Sequence, residues 1–134
     1  GTSIGGFSAL RMAASCDAIG VLAIKPPVDI SKLRESQGAL ADFPSLHPVR
    51  SSLPPSLTIY SKTDAGEAHH HRQAGFFQGV RGAEVLVLEN FGFQAALKSG
   101  ELAYYFKLLG EMRNPRRTQG IFGSLNRRPS RSIP

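Results

Sequence analysis

Cysteine is almost absent from this chain. With only Cys16, it can build neither an internal disulfide framework nor a multi-cysteine zinc site. A single thiol suits a reducing compartment, and a cytoplasmic location is expected. No apolar run approaches the ~20 residues that a bilayer-spanning helix requires, so no membrane span is expected. No charged start is followed by an apolar stretch, so no secretory signal is read in the sequence. An initiator methionine is also lacking. The sequence opens on Gly1 inside what reads as a motif, and residues ahead of it are expected. Acidic residues, finally, are missing beyond Glu111.

That last absence organises the charge. The 134 residues carry a formal net charge of +6 and have a sequence pI near 10.0. Over residues 1–112, ten basic residues meet ten acidic ones and cancel. The whole excess comes from Arg113, Arg116, Arg117, Arg127, Arg128 and Arg131. A neutral body over 1–112 therefore precedes a cationic tail over 113–134. This weakens the case for a basic globular surface that binds nucleic acid. With 41% hydrophobic and 19% charged residues, the chain is not disordered throughout. Its length fits one domain able to bury a core.

Apolar residues Ile4, Phe7, Leu10, Met12 and Ala14 predict a closely packed helix over Ile4–Ser15. The short run Gly20–Ile24 predicts a buried parallel strand, stopped by Pro26-Pro27. Residues 31–55 read as irregular, with one helical turn around Ser31–Leu40. A second strand is expected at Leu57–Tyr60, a helix around Glu67–Val80 and a third strand at Glu84–Leu88. A last helix over about Gln94–Met112 places Leu97, Leu102, Tyr105, Leu108 and Leu109 at helical spacings. Strands alternating with helices imply an α/β fold with a mostly parallel sheet and helices on its faces. Ligands gather at the carboxyl ends of such strands. Chemistry is therefore sought at Lys25–Asp29, Ser61–Gly66 and Asn90–Phe93.

Gly1-Thr2-Ser3-Ile4-Gly5-Gly6 matches G-x-S-x-G, a tight strand-to-helix turn that strains the serine backbone. Glycines are expected to flank the serine because a side chain there would clash. A serine so placed stands at a helix N-terminus, where backbone N–H groups stabilise developing negative charge. From this motif, the strand–helix order behind it and the strand Leu57–Tyr60 running on to Asp64, residues 1–112 resemble the carboxyl-terminal half of the α/β-hydrolase superfamily. The resemblance implies Ser3 as nucleophile, Asp64 as the triad acid and the Ile4 N–H as half of an oxyanion hole. It implies a substrate-selecting lid over 25–55, a small-molecule acyl substrate and, as a partner, the missing first half of the fold. No cofactor is called for.

The superfamily carries its histidine in the loop after the last strand. Here that loop reads Leu88-Glu89-Asn90-Phe91-Gly92-Phe93-Gln94, with Phe93 or Gln94 at the expected place. Phenylalanine accepts no proton and glutamine is not basic, so the serine lacks its usual base. His47 reads as a surface residue of the Pro-rich segment. His69, His70 and His71 start a helix about 100° apart per residue, so they do not converge on one metal. His69, nearest the strand end, is the candidate for a relocated base. Asp29 reads as a turn or cap residue, Glu67 as a first-turn residue favouring the helix dipole, and Cys16 as a small packed side chain.

The tail pairs six arginines with Pro115, Pro129 and Pro134, and cannot bury enough apolar surface to order itself. It lacks interleaved aromatics, so no specific nucleic-acid partner is expected. Two functions follow. One is an acyl hydrolase acting through Ser3 on an ester, thioester or amide. The alternative is a pseudo-hydrolase that binds a small acyl ligand or a protein partner without turnover.

Overall fold

The computed structural model describes residues 1–31, 45–62 and 70–112. Three strands, β1 (Val21–Ile24), β2 (Ser56–Ser61) and β3 (Ala83–Leu88), form a parallel sheet in the order β1-β2-β3. The register aligns Ile24 with Ile59 and Ile59 with Leu86. All carboxyl ends therefore lie on one edge of the sheet. Gly1 and Thr2 run along the free side of β1, with Thr2 bridged in parallel to Ile24. The approach to the serine turn is thus itself extended and sheet-paired over these two residues.

Alternation along the strands splits the core in two. Leu22, Ile24, Leu57 and Ile59 face Ala96, Leu102, Tyr105, Leu108 and Leu109, which come from α2 (Phe93–Ser99) and α3 (Glu101–Glu111). Val21, Ala23 and Tyr60 face Phe7, Leu10 and Ala13 of α1 (Ile4–Ala13), together with Val28, Ile30, Leu46, Val49 and Phe77. Helices on both faces of a parallel sheet bury every residue of β1 and β2. β3 is an edge strand and is only partly buried.

Several expected elements change. The predicted last helix is two helices, because Gly100 adopts φ 81 and ends α2 in a left-handed turn. Ser99 Oγ reinforces the break by donating to the Ala96 carbonyl and accepting the Glu101 N–H. The break shifts the helical phase, so Leu97, assigned to the apolar stripe, is 55% exposed. The helix expected around Glu67–Val80 is a 3₁₀ helix over His70–Phe77 within the described residues. α1 ends at Ala13 rather than Ser15, and its buried face is Gly6, Phe7, Leu10 and Ala13. Met12 falls on the opposite side and is exposed, and Cys16, beyond the helix end, is exposed rather than packed. The turn expected around Ser31–Leu40 lies outside the described residues beyond Ser31, and so does the tail over 113–134. No helix among the described residues is long and apolar enough to cross a membrane.

Candidate active site

Ser3 sits where the extended Gly1–Thr2 segment turns into α1. Its N–H donates to the Ile24 carbonyl at 2.7 Å, and the Ile24 N–H donates to the Gly1 carbonyl at 2.9 Å. These bonds pin the turn to the carboxyl end of β1. On the other side, the Ser3 carbonyl accepts the N–H groups of Gly6 and Phe7 at 2.8 and 3.1 Å, which starts the helix. The chain must reverse direction within one residue, and Ser3 does so at φ 53, ψ −127. That conformation is unfavourable for any residue with a Cβ. Serine at a helix start normally uses its hydroxyl to cap an N–H. Ser3 makes no such cap bond, so its hydroxyl is not spent on the helix. The N–H groups of Ile4 and Gly5, at the very start of α1, have no acceptor within the helix.

The glycines around the serine divide in role. A Cβ on Gly1 would collide with the Gly5 carbonyl. On Gly6 it would lie 3.2 Å from the Gly1 oxygen and from Pro26 Cβ. On Gly5 it would meet nothing within 4 Å, so the expected clash at that flanking position is absent. Close packing of the turn on itself and on Pro26 is what demands small residues here.

Beside Ser3, β1 ends in Lys25. It also has a left-handed backbone, φ 50, and its side chain is 8% exposed. Its N–H donates to the Ile59 carbonyl at 2.7 Å, continuing the β1–β2 ladder. The following Pro26 carbonyl accepts the Tyr60 hydroxyl at 2.8 Å. Tyr60 is fully buried, and this burial holds its phenol well above the ordinary tyrosine range. The bond ties the segment after β1 to β2 directly below the site. Further along, the Asp29 carboxylate accepts the Ser31 N–H at 2.8 Å, a turn of the Asx type.

At the ends of β2 and β3, Ser61 Oγ accepts the Phe91 N–H at 3.2 Å. Lys62 pairs with Glu89 at 2.7 Å in an exposed setting that contributes little stability. Phe93 and Gln94 open α2 behind Gly92. Gln94 is exposed, while Phe93 joins Thr2, Ile24, Leu102 and Phe106 around a cavity of about 260 Å³. A second cavity of about 360 Å³ lies on the other side of Gly1 and includes Met12, Cys16 and Phe106. The two form an apolar strip along the free side of β1.

Ser3 and Ile4 thus stand at the carboxyl edge together with Lys25. Asp64 and His69, and likewise Glu67, lie outside the described residues. His47 is exposed at the start of a short 3₁₀ helix, His47–Ser52, with its ring edge-on to Phe76 at 5.0 Å. No group of three His, Cys, Asp or Glu residues among those described could hold a metal ion. The sequence places Lys25 at the head of the functional-edge segment Lys25–Asp29 but assigns it no role. A lysine closing an otherwise apolar strand, just before Pro26-Pro27, was the available signal. Comparison with protein-family models, curated proteins and solved structures finds no match to this chain.

Proposed function

We propose that this chain is the carboxyl-terminal part of an α/β-hydrolase-type serine hydrolase. It would transfer the acyl group of an ester, thioester or amide to water through Ser3. The observation that carries the reading is the strained Ser3 backbone, φ 53 and ψ −127, at a strand-to-helix turn whose serine does not cap the helix. Strain of this kind clusters where a side chain must be presented for chemistry. Parallel strands continuing in sequence order away from the turn support the same reading. In this scheme Ser3 Oγ attacks the acyl carbon, and the Ile4 N–H at the start of α1 meets the developing oxyanion. Asp64 is the acid of the set. The apolar strip beside Gly1 and Thr2 supports the first half of such a fold as the covering partner.

A fluorophosphonate probe tests the nucleophile. The full chain is expected to label at Ser3, with labelling abolished in Ser3→Ala. Failure of the wild type to label, alone or with a covering partner, would sink the reading.

One observation favours a second reading, a pseudo-hydrolase that holds an acyl ligand or protein partner without turnover. Phe93, at the expected place of the base, lines an apolar cavity instead. Phe93→His or Gln94→His would then create esterase activity absent from the wild type. Wild-type turnover that disappears in His69→Ala would point instead to a relocated base.

A further inference from the structure

β3 closes one side of the sheet, and among the described residues no strand or bridge lies beyond it. The Ser56 N–H donates to the Gly82 carbonyl and the Lys62 N–H to the Leu88 carbonyl, so the even-numbered residues of β3 carry the ladder to β2. The N–H and C=O groups of Val85 and Val87 therefore point outward, away from β2. Exposed edges are normally blunted by lysine, proline, a bulge or shortness. Over its six residues, Ala83-Glu84-Val85-Leu86-Val87-Leu88, β3 holds no lysine, no proline and a single charge. Val87 is 36% exposed, and a cavity of about 570 Å³ lies beside Ala83 and Val85, against Ala74, Gly75 and Phe77. Backbone groups and side-chain space are thus both available for another strand.

We infer that this strand is a second copy of β3, paired antiparallel across a two-fold axis. Charge complementarity selects that occupant. In antiparallel self-pairing the amino end of each β3 meets the carboxyl end of the other. Arg81, exposed just ahead of the strand, then approaches Glu89 of the second copy, which is 78% exposed beyond its pair with Lys62. The axis makes this contact at both ends. Register follows from two further observations. The Ala83 N–H is already bonded to the Val80 carbonyl at 3.1 Å, which leaves Val85 and Val87 to do the pairing. With the axis at Leu86, Val85 of each copy exchanges both backbone bonds with Val87 of the other. The same register sets each Glu84 opposite Leu88 of the other copy, so the two carboxylates stay apart. Two three-stranded sheets become one continuous sheet, with the two Ser3 turns on its opposite edges. The pairing depends on no reading of Ser3.

The test uses the full chain carrying Phe106→Glu, which removes the apolar strip as a second route to association. Light scattering after size exclusion should give twice the 14.4 kDa mass of the chain. Adding Val87→Lys, at an exposed position, puts a lysine on the shared edge and should halve that mass while a cooperative circular-dichroism melt is retained. Cross-linking reads the register. With Cys16→Ser removing the native thiol, Leu86→Cys sets two thiols across the axis at about 4.5 Å between Cα atoms, within disulfide reach. Mild oxidation should then give a covalent dimer. Leu88→Cys, whose two copies lie roughly 13 Å apart along the strands, should not cross-link. A Phe106→Glu chain that stays monomeric at high concentration, a Val87→Lys chain that remains dimeric, or cross-linking at 88 as fast as at 86 overturns the pairing. Each of these leaves the fluorophosphonate result at Ser3 untouched, so the two readings fail separately.

Discussion

Ser3 and Lys25 sit side by side at the carboxyl end of the sheet with matching left-handed backbones, φ 53 and 50. The Ser3 N–H is bonded to the carbonyl of Ile24, the residue immediately before Lys25, at 2.7 Å. Two adjacent strands therefore end in strained turns at one point. Each such residue costs about 1–3 kcal/mol and persists only where its surroundings over-determine it.

The strain at Ser3 is measurable by substitution. Glycine accepts φ 53 without penalty, whereas alanine keeps the Cβ and the strain. Part of the relief is offset by glycine's greater freedom in the unfolded chain. Ser3→Gly is expected to be about 1 kcal/mol more stable than Ser3→Ala in urea unfolding. Equal stabilities would mean that the turn is not strained.

Gly5 and Gly6 should respond oppositely to the same change. Gly5 is exposed in α1, and an added Cβ would meet no atom within 4 Å. Alanine improves helix propensity by about 1 kcal/mol, so Gly5→Ala should raise the melting temperature. At Gly6 the Cβ would press at 3.2 Å on both the Gly1 oxygen and Pro26. Overpacking of this sort costs about 1–3 kcal/mol, so Gly6→Ala should lower it. A stabilising Gly6→Ala would show that the turn yields more easily than its contacts suggest.

How much of this was legible beforehand varies by element. The three strands, their parallel order and the turn at Ser3 follow from short apolar runs between helical patterns and from two glycines around a serine. Those signals are local, and local backbone chemistry decided the outcome. The single last helix failed because the apolar spacing from Leu97 to Leu109 runs unbroken through Gly100. Spacing alone does not register that glycine's left-handed turn, φ 81. Met12 and Cys16 were misplaced for a related reason. The buried spacing is Phe7, Leu10 and Ala13, and extending the helix to Ser15 made the outward face look apolar. Lys25 was legible as the head of a functional-edge segment, but its nearness to Ser3 was not, because that is a fact of register made by Thr2 and Ile24 across 22 residues of sequence.

Tyr60 gives the fold an alkaline weakness. Its buried phenol is held neutral, with its ionisation raised above the ordinary value of 10.0. Above pH 10 the unfolded chain releases the tyrosine proton while the folded chain keeps it. The unfolded state then binds fewer protons, so stability falls as pH rises. Urea midpoints for the wild type should therefore decline from about pH 10 upward, and Tyr60→Phe should remove part of that decline. At neutral pH the same variant leaves the Pro26 carbonyl without its donor, at a cost of about 1–3 kcal/mol. An unchanged alkaline slope in Tyr60→Phe would assign the decline to other groups.

Phe106 tests whether the apolar strip governs association. It is 59% exposed on α3 and lines both cavities beside Gly1, with Met12, 63% exposed, on the wall of the second. Among the described residues Thr2 pairs only with β1, and a strand edge flanked by apolar side chains invites pairing with other chains. The chain expressed alone should therefore self-associate. Phe106→Glu places a charge in the middle of the strip while removing a ring that is mostly in water already. Light scattering after size exclusion should show a smaller species for the variant at equal concentration, with the melting temperature nearly unchanged. A wild-type chain that stays monomeric at high concentration, or a variant that associates equally, would locate any association elsewhere on the surface.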